Sequence, residues 1–366
     1  MIKYNIHHIK GLYFQITDDE GKNREYDVSF VDRQTNKEIY KLKMKVGYWA
    51  QLSRKYLSDI AVFVRYEGRT IKQINFLEHL KGKRVFISFE SKALGDTLAW
   101  MPYCREFAKH YDCKVIVSTF KNFMFEKTYP DLEFVDRGVI VKDLIAMIEI
   151  GWYWDKEKEP VNPILIPLQQ SGTNILNIPY KEIQPDIDFT PKERPIPEKY
   201  VCISIYSTSQ LKLWYYWQDV IDFLTEKGYK VFEISKESEM MYQKTSSFNN
   251  LIEMTDKSLE NTMNYIYHSD FYIGLSSGLS WLAWALRKRV YMISNFTIKE
   301  HEFNINTIRI TDETICNGCW HDLKFRFDKS NWMWCPRQED TPRHFECHKL
   351  ITSDKLINSI RENEGI

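Results

Sequence analysis

Three polar turns, each placed where an apolar run gives way to a helix-like pattern, carry the residue types that proton transfer and phosphate binding need. The first is Lys92-Ala93-Leu94-Gly95-Asp96-Thr97, after the apolar run 85–89 and ahead of an amphipathic stretch at 97–111. Open parallel sheets bind ligands beyond the carboxyl ends of their strands, so Asp96 is a candidate general base for an attacking hydroxyl. The position also suits a first-turn carboxylate that only stabilises its helix through the dipole. The second turn, Ser207-Thr208-Ser209-Gln210-Leu211-Lys212, follows the run 200–206. Hydroxyls, the unpaired N–H groups of a helix start and a lysine point charge can cradle a phosphate, although a solvated turn with one surface lysine has the same composition. The third, Gly274-Leu275-Ser276-Ser277-Gly278-Leu279, has side chains small enough for a diphosphate to approach the backbone, or for a tight strand-to-helix turn to pack. The three together point to a nucleotide-diphosphate cleft.

A fourth cluster is built from sulfur. Cys316 and Cys319 form a C-x-x-C knuckle, and Cys335 and Cys347 follow at loop spacing. Four thiolates make a tetrahedral site for zinc or a single iron, with no open position and hence a structural role. A redox pair is the competing reading, but the strand and helix of a thioredoxin context are missing. His321, His344 and His348 read as residues around such a site rather than ligands, and Cys104, Cys113 and Cys202 as buried thiols.

The elements that must position these residues follow from periodicity. Residues 1–80 alternate short β-type runs (12–17, 26–31, 38–46 and 60–66) with turns such as Glu67-Gly68, which predicts a small antiparallel β domain. From residue 84 the pattern becomes strand, turn, helix, strand, and it resumes after a Pro-rich linker at 183–197. The second series predicts strands at 200–206, 230–234, 270–275 and 290–293 and helices at 217–226, 259–267 and 278–286. The expectation is an α/β protein with two facing Rossmann-like domains and a cleft between them. The predicted domains are 1–80 (β), 81–190 and 191–300 (Rossmann-like, the second binding the nucleotide) and 301–366 (metal module and a last helix).

Composition narrows the function. The chain has 366 residues, 43% apolar and 27% charged, which excludes disordered and fibrous classes. Fifty basic residues balance 50 acidic ones, so the electrostatic footprint of a nucleic-acid binder is missing. The most apolar stretch, 144–154, is shorter than the roughly 20 residues of a membrane span. The opening residues lack the apolar core of a secretory signal, and the expected location is cytoplasmic.

Gly95-Asp96, Ser207-Thr208 with Lys212 and Trp214, and the 274–286 segment resemble the ADP-heptose heptosyltransferases, whose signature runs roughly D-T-G-L-S-H-L-x-x-A-L. With the N-terminal β region and Cys316, Cys319, Cys335 and Cys347, the chain is similar over nearly its full length to the bacterial autotransporter O-heptosyltransferases. The resemblance implies a GT-B fold and inverting transfer of heptose from ADP-heptose to serine hydroxyls of autotransporter adhesins. It also implies one structural iron on the four cysteines, no catalytic metal, and assembly into a large ring such as a dodecamer. It casts Asp96 as the catalytic base and Lys212 as the charge that stabilises the leaving ADP. Gly95, Thr97, Ser207, Thr208, Ser276, Ser277, Gly278 and Leu279 become donor-binding residues. Two positions depart from the signature, since its Asp is Ser276 here and its His is Trp281. Transfer to lipopolysaccharide core, use of another nucleotide sugar, and a non-catalytic metal-ribbon scaffold are the rival readings.

Overall fold

The computed structural model describes residues 2–207, 209–240, 243–255, 257–328 and 330–366. The chain divides into two compact units, one of Met1–Lys92 and Trp100–Ile183, the other of Ala93–Ala99 and Gln184–Ile366. Among the described residues no helix is long and apolar enough to cross a membrane.

The elements of the first unit are β1 (Lys3–His8), β2 (Leu12–Asp18), β3 (Tyr26–Asp32), β4 (Lys37–Met44), β5 (Trp49–Gln51), β6 (Ile60–Tyr66), β7 (Arg69–Asn75), β8 (Arg84–Phe89), α1 (Leu94–Tyr111), β9 (Lys114–Ser118), β10 (Glu133–Phe134), β11 (Leu144–Ile150) and α2 (Leu168–Leu176). The first turn of α1 belongs to the second unit. An antiparallel sheet in the order β4-β3-β6-β7 accounts for four of the N-terminal strands. The others, β1, β2 and β5, extend the Rossmann-like sheet, whose order is β10-β9-β8-β11-β1-β2-β5. The N-terminal region is therefore shared between two sheets. Strand β11, unassigned by periodicity, pairs in parallel with β8 along its length and with β1 at His8 and Ala146.

The second unit contains β12 (Tyr200–Ser204), α3 (Trp217–Glu226), β13 (Lys230–Glu233), β14 (Glu239–Met240), β15 (Gln243–Lys244), β16 (Leu251–Glu253), α4 (Leu259–His268), β17 (Tyr272–Leu275), α5 (Gly278–Ala285), β18 (Val290–Ile293), β19 (Thr307–Ile310), α6 (Glu346–Lys349) and α7 (Ser353–Glu364). Its six-stranded parallel sheet runs β16-β13-β12-β17-β18-β19, the doubly wound order in which the chain reverses direction between β12 and β17. Strands β12, β17 and β18 are buried at every position, because a parallel sheet covered on both faces selects continuous apolar runs over alternation. Helix α3 presents Trp217, Val220, Ile221 and Leu224 at helical spacing to the core that Trp214 and α7's Leu356 and Ile360 also fill. Trp214 and Trp217 meet edge to face with ring centroids 5.1 Å apart.

One glycine is required by space as well as by conformation. Gly11, between β1 and β2, has φ +103°, and a Cβ there would overlap the Leu52 carbonyl oxygen. Gly68 has φ +75° with open space around it. Gly11→Ala is expected to destabilise the protein by about 2–4 kcal/mol, and Gly68→Ala by about 1 kcal/mol. Thermal unfolding of the two variants side by side checks this; equal shifts would show that the close approach at Gly11 carries no energy.

Candidate nucleotide-sugar site

The parallel part of the first sheet and the parallel sheet of the second unit each have a reversal point, and the three turns singled out in sequence follow strands there. In the first sheet β8 sits between β9 and β11, and residues 90–93 leave its carboxyl end to start α1. Asp96 lies in the first turn of α1, where the helix N-terminus favours a carboxylate. The adjoining Gly95 is there because of packing. A Cβ on it would stand 3.0 Å from Trp281 Cδ1, and one on Gly278 would stand 3.2 Å from Leu94 Cβ and 3.3 Å from the Gly95 nitrogen. Only glycine lets the starts of α1 and α5 approach so closely, and this brings the Asp96 turn to the 276–279 turn. Thr97 is buried and its hydroxyl donates to the Ala93 carbonyl at 2.9 Å, so it closes its own helical turn.

In the second sheet the turns after β12 and β17 flank the reversal point. Ser207 is buried, and Ser209 Oγ accepts from Leu211 N to start the single 3-10 turn Gln210–Lys212. Thr208 lies outside the described residues. Lys212 Nζ donates to the Ser276 carbonyl at 3.1 Å and lies 4.9 Å from the centre of the Phe296 ring, so one cation joins the two turns. Ser277 precedes α5 with extended backbone, and its buried Oγ has no hydrogen-bond partner among the described residues. Gly278 and Leu279 then open α5 and are half-buried.

Two groups that sequence reasoning missed hold these turns. Ser276 Oγ donates to Glu302 Oε1 at 2.5 Å, Thr297 Oγ1 donates to the same carboxylate at 2.9 Å, and Arg309 pairs with it at 2.5 Å. Burial raises the Glu302 carboxyl, but the Arg309 charge, with smaller help from His301 and Ser276, outweighs it and holds the group at about 2. The position where the family signature has Asp is therefore a serine that leans on a carboxylate 26 residues later. Glu233, at the end of β13, accepts from Ile205 N at 3.1 Å and Ser235 N at 2.7 Å, tying the turn after β12 to the turn after β13. Its burial pushes the carboxyl up, to about 8. No local spacing marks Glu302 or Glu233; an arginine inside the short strand TIRI was the one cue that a buried acceptor had to exist.

Cys319, Cys335 and Cys347 are buried in one apolar cluster with Leu211, Phe296, Trp334 and Phe345, and Cys316 packs against it. All seven cysteines are free. Burial first, then the neighbouring Cys316, pushes the Cys319 thiol up to about 12, and Cys347 is raised by burial and by the other three. Burial and mutual repulsion both favour the neutral thiols, so it is the clustering of four sulfur donors that fits a tetrahedral metal site. Among the described residues no group of three or more His, Cys, Asp or Glu side chains is preassembled around a metal position. The cluster includes Leu211 of the lysine turn, and the segment that carries the cysteines is bonded to its surroundings: Gln210 N donates to the Trp332 carbonyl at 3.2 Å, Trp320 N to the Phe296 carbonyl at 3.2 Å, and Trp214 Nε1 to the Ile351 carbonyl at 2.6 Å.

Residues 168–325 match the family model for glycosyltransferase family 9 (heptosyltransferase). The autotransporter heptosyltransferase Aah of Escherichia coli is 30% identical over 92% of this chain and 88% of its own length. This chain belongs to the autotransporter heptosyltransferases. Its fold agrees with the family: the structure of TibC, a dodecameric iron-containing heptosyltransferase in complex with ADP-D-beta-D-heptose, superposes with a TM-score of 0.85 at 28% identity, over 98% of this chain and 95% of TibC. The α/β glycosyltransferase fold expected from sequence is borne out. A family member of Burkholderia thailandensis, BimC, is an inactive autotransporter heptosyltransferase, 28% identical over 93% of this chain and 82% of its own.

The Glu302 network makes a signed prediction. Replacing Glu302 by Gln leaves Arg309 buried without its counter-charge and is expected to cost about 3–5 kcal/mol at neutral pH. Because the folded carboxyl is held at about 2 against an ordinary 4.5, wild-type stability should fall as pH drops from about 5 towards 2, and the fall should be shallower in the variant, where only the other lowered carboxylates such as Asp312 contribute. Denaturant unfolding across this range measures both; parallel pH profiles would remove Glu302 from the account.

Proposed function

We propose that this heptosyltransferase moves heptose from ADP-heptose to serine hydroxyls of an autotransporter adhesin, in the cytoplasm, the compartment that free thiols favour. The observation that carries the reading is the Lys212 bridge between the two turns at the β12/β17 reversal point, with the Asp96 turn packed beside Gly278. Parallel sheets of this order hold nucleotides there. In the proposed step the acceptor oxygen bonds to the anomeric carbon as the bond from that carbon to the diphosphate oxygen breaks, which inverts the centre. Asp96 takes the hydroxyl proton. Lys212 and the N–H groups at the start of α5 stabilise the charge that ADP carries away, and Ser207, Thr208, Ser276, Ser277 and Leu279 surround the nucleotide and sugar. Gly95 and Gly278 contribute by having no side chain.

Cys316, Cys319, Cys335 and Cys347 are the residues that would hold an iron, which supplies a structural cross-link in an otherwise loop-built segment. The donor set fits iron or zinc, and the iron of TibC favours iron. TibC is dodecameric, and a dodecamer, arranged as a ring, is the assembly we propose here.

Since BimC is inactive, the deciding experiment is turnover itself. Asp96→Ala is expected to lower the transfer rate by about 100-fold or more while ADP-heptose affinity stays within about twofold. Lys212→Ala should weaken calorimetric binding of ADP and ADP-heptose alike. A wild-type protein that binds ADP-heptose no better than UDP-glucose, or an Asp96→Ala variant that turns over normally, would overturn the assignment. Cys319→Ser should lower the melting temperature and the bound iron. It should also weaken ADP binding, because the cysteine cluster includes Leu211 of the turn that holds Lys212. Unchanged ADP affinity in an iron-free variant would separate the module from the site.

A further inference from the structure

The first unit carries charge that neither the donor site nor the cysteine cluster uses. Three loops leave the carboxyl ends of β8, β9 and β10, and each supplies one cation to the surroundings of Phe120. The Arg137 guanidinium lies 3.9 Å from the centre of the Phe120 ring, and Lys92 Nζ lies 5.4 Å from it. Lys121 Nζ donates to the Lys92 carbonyl at 2.9 Å, and Arg137 donates to the Phe89 carbonyl at 2.6 Å. Their partners are carbonyl oxygens and a ring face. Among the described residues no carboxylate pairs with any of the three, although Glu90 and Asp136 are close in sequence. The chain as a whole is neutral, so this local excess is a property of placement.

The loops are also held in position. Asn122 is buried, accepts from Thr119 N at 2.8 Å and from Thr119 Oγ1 at 2.9 Å, and donates to the Val135 carbonyl at 2.9 Å. The β9 and β10 loops are thereby fastened to each other. Apolar side chains stand exposed at neighbouring sequence positions: Phe123 is 60% accessible and Ile140 84%. Cations with an aromatic platform and exposed apolar neighbours fit a polypeptide bearing carboxylates better than a sugar nucleotide, whose diphosphate already has Lys212 and the α5 start in the other unit.

We propose that Lys92, Lys121 and Arg137, gathered around Phe120 at the carboxyl ends of β8, β9 and β10, form a recognition site for carboxylate side chains of the acceptor polypeptide. The inference rests on the proposed function for the identity of the acceptor, and on the charge cluster alone for the chemistry. In sequence, Lys92 precedes Asp96 by four residues.

The test uses the full chain and two fluorescent peptides of equal length, one of Glu, Gly and Ser, the other with Gln in place of each Glu. The Glu peptide should bind more tightly than the Gln peptide, and its affinity should fall with added salt. Lys92→Glu/Arg137→Glu should weaken the Glu peptide by about tenfold or more and raise the KM for an adhesin acceptor, with the Kd for ADP-heptose within about twofold of wild type. Lys92→Gln, which removes only a ring contact and no hydrogen bond, should give a loss of about two- to fivefold without a change in melting temperature. Equal binding of the two peptides, or charge reversal without effect in a folded variant, would overturn the site. A matching loss of ADP-heptose affinity would also overturn it by giving these cations to the donor diphosphate. If wild type binds the Glu peptide but transfers no heptose to any adhesin, the proposed function falls and the carboxylate site stands.

Discussion

Lys212 rests on the Ser276 carbonyl, and much of the second unit is arranged so that it can. The carbonyl belongs to a turn whose side chain is held by Glu302, and Glu302 in turn is held by Arg309 on the edge strand β19. A buried ion pair of this kind is a poor source of net stability, because desolvation offsets most of its attraction. Its effect is positional. Removing any one partner leaves a buried charge or hydroxyl unsatisfied, so the turn has one low-energy arrangement.

The lysine's other side is fixed from below. Phe296 lies under the ammonium and is also a wall of the apolar cluster that contains Cys319, Cys335 and Cys347. The segment 316–351 has little regular structure, and its fastenings to residues 210–214 do for it what a sheet does elsewhere. The cysteines are thus mechanically continuous with Lys212 through Phe296. The close approach of Gly95 and Gly278 makes the third connection, from the 276–279 turn to the turn of Asp96. Three separate kinds of constraint, an ion pair, an apolar cluster and a pair of missing side chains, converge on one small region.

Much of that region was legible in advance because the signals are local. A strand that ends in Gly or Ser and continues as a helix announces its own turn, and Asp96, Lys212 and Gly278 could be picked out from neighbours a few residues away. The C-x-x-C knuckle is local in the same way. Strands β1, β5, β11 and β19 were harder. They are short or lack alternation, and what makes each a strand is a partner distant in sequence, as when β1 pairs with β11 across more than 100 residues. The reading of residues 1–80 as one β domain followed from the turns between strands, which do not say which sheet a strand will join.

Sequence by itself determined the α/β alternation, the placement of the polar turns at strand ends, the clustering of four cysteines and the resemblance to a sugar-transferring family. Each is a property of residue type and short-range spacing, which propensity and periodicity encode directly. Only the tertiary structure decided that Ser276 leans on Glu302, that Glu233 ties two strand-end turns together, and that Lys92 and Arg137 meet at the Phe120 ring with Lys121 bonded beside them and, among the described residues, no carboxylate paired with any of the three. Those are pairings between charges and dipoles that the chain brings together from dozens of residues apart. Their energy depends on burial and distance, and neither exists until the sheet has closed over them.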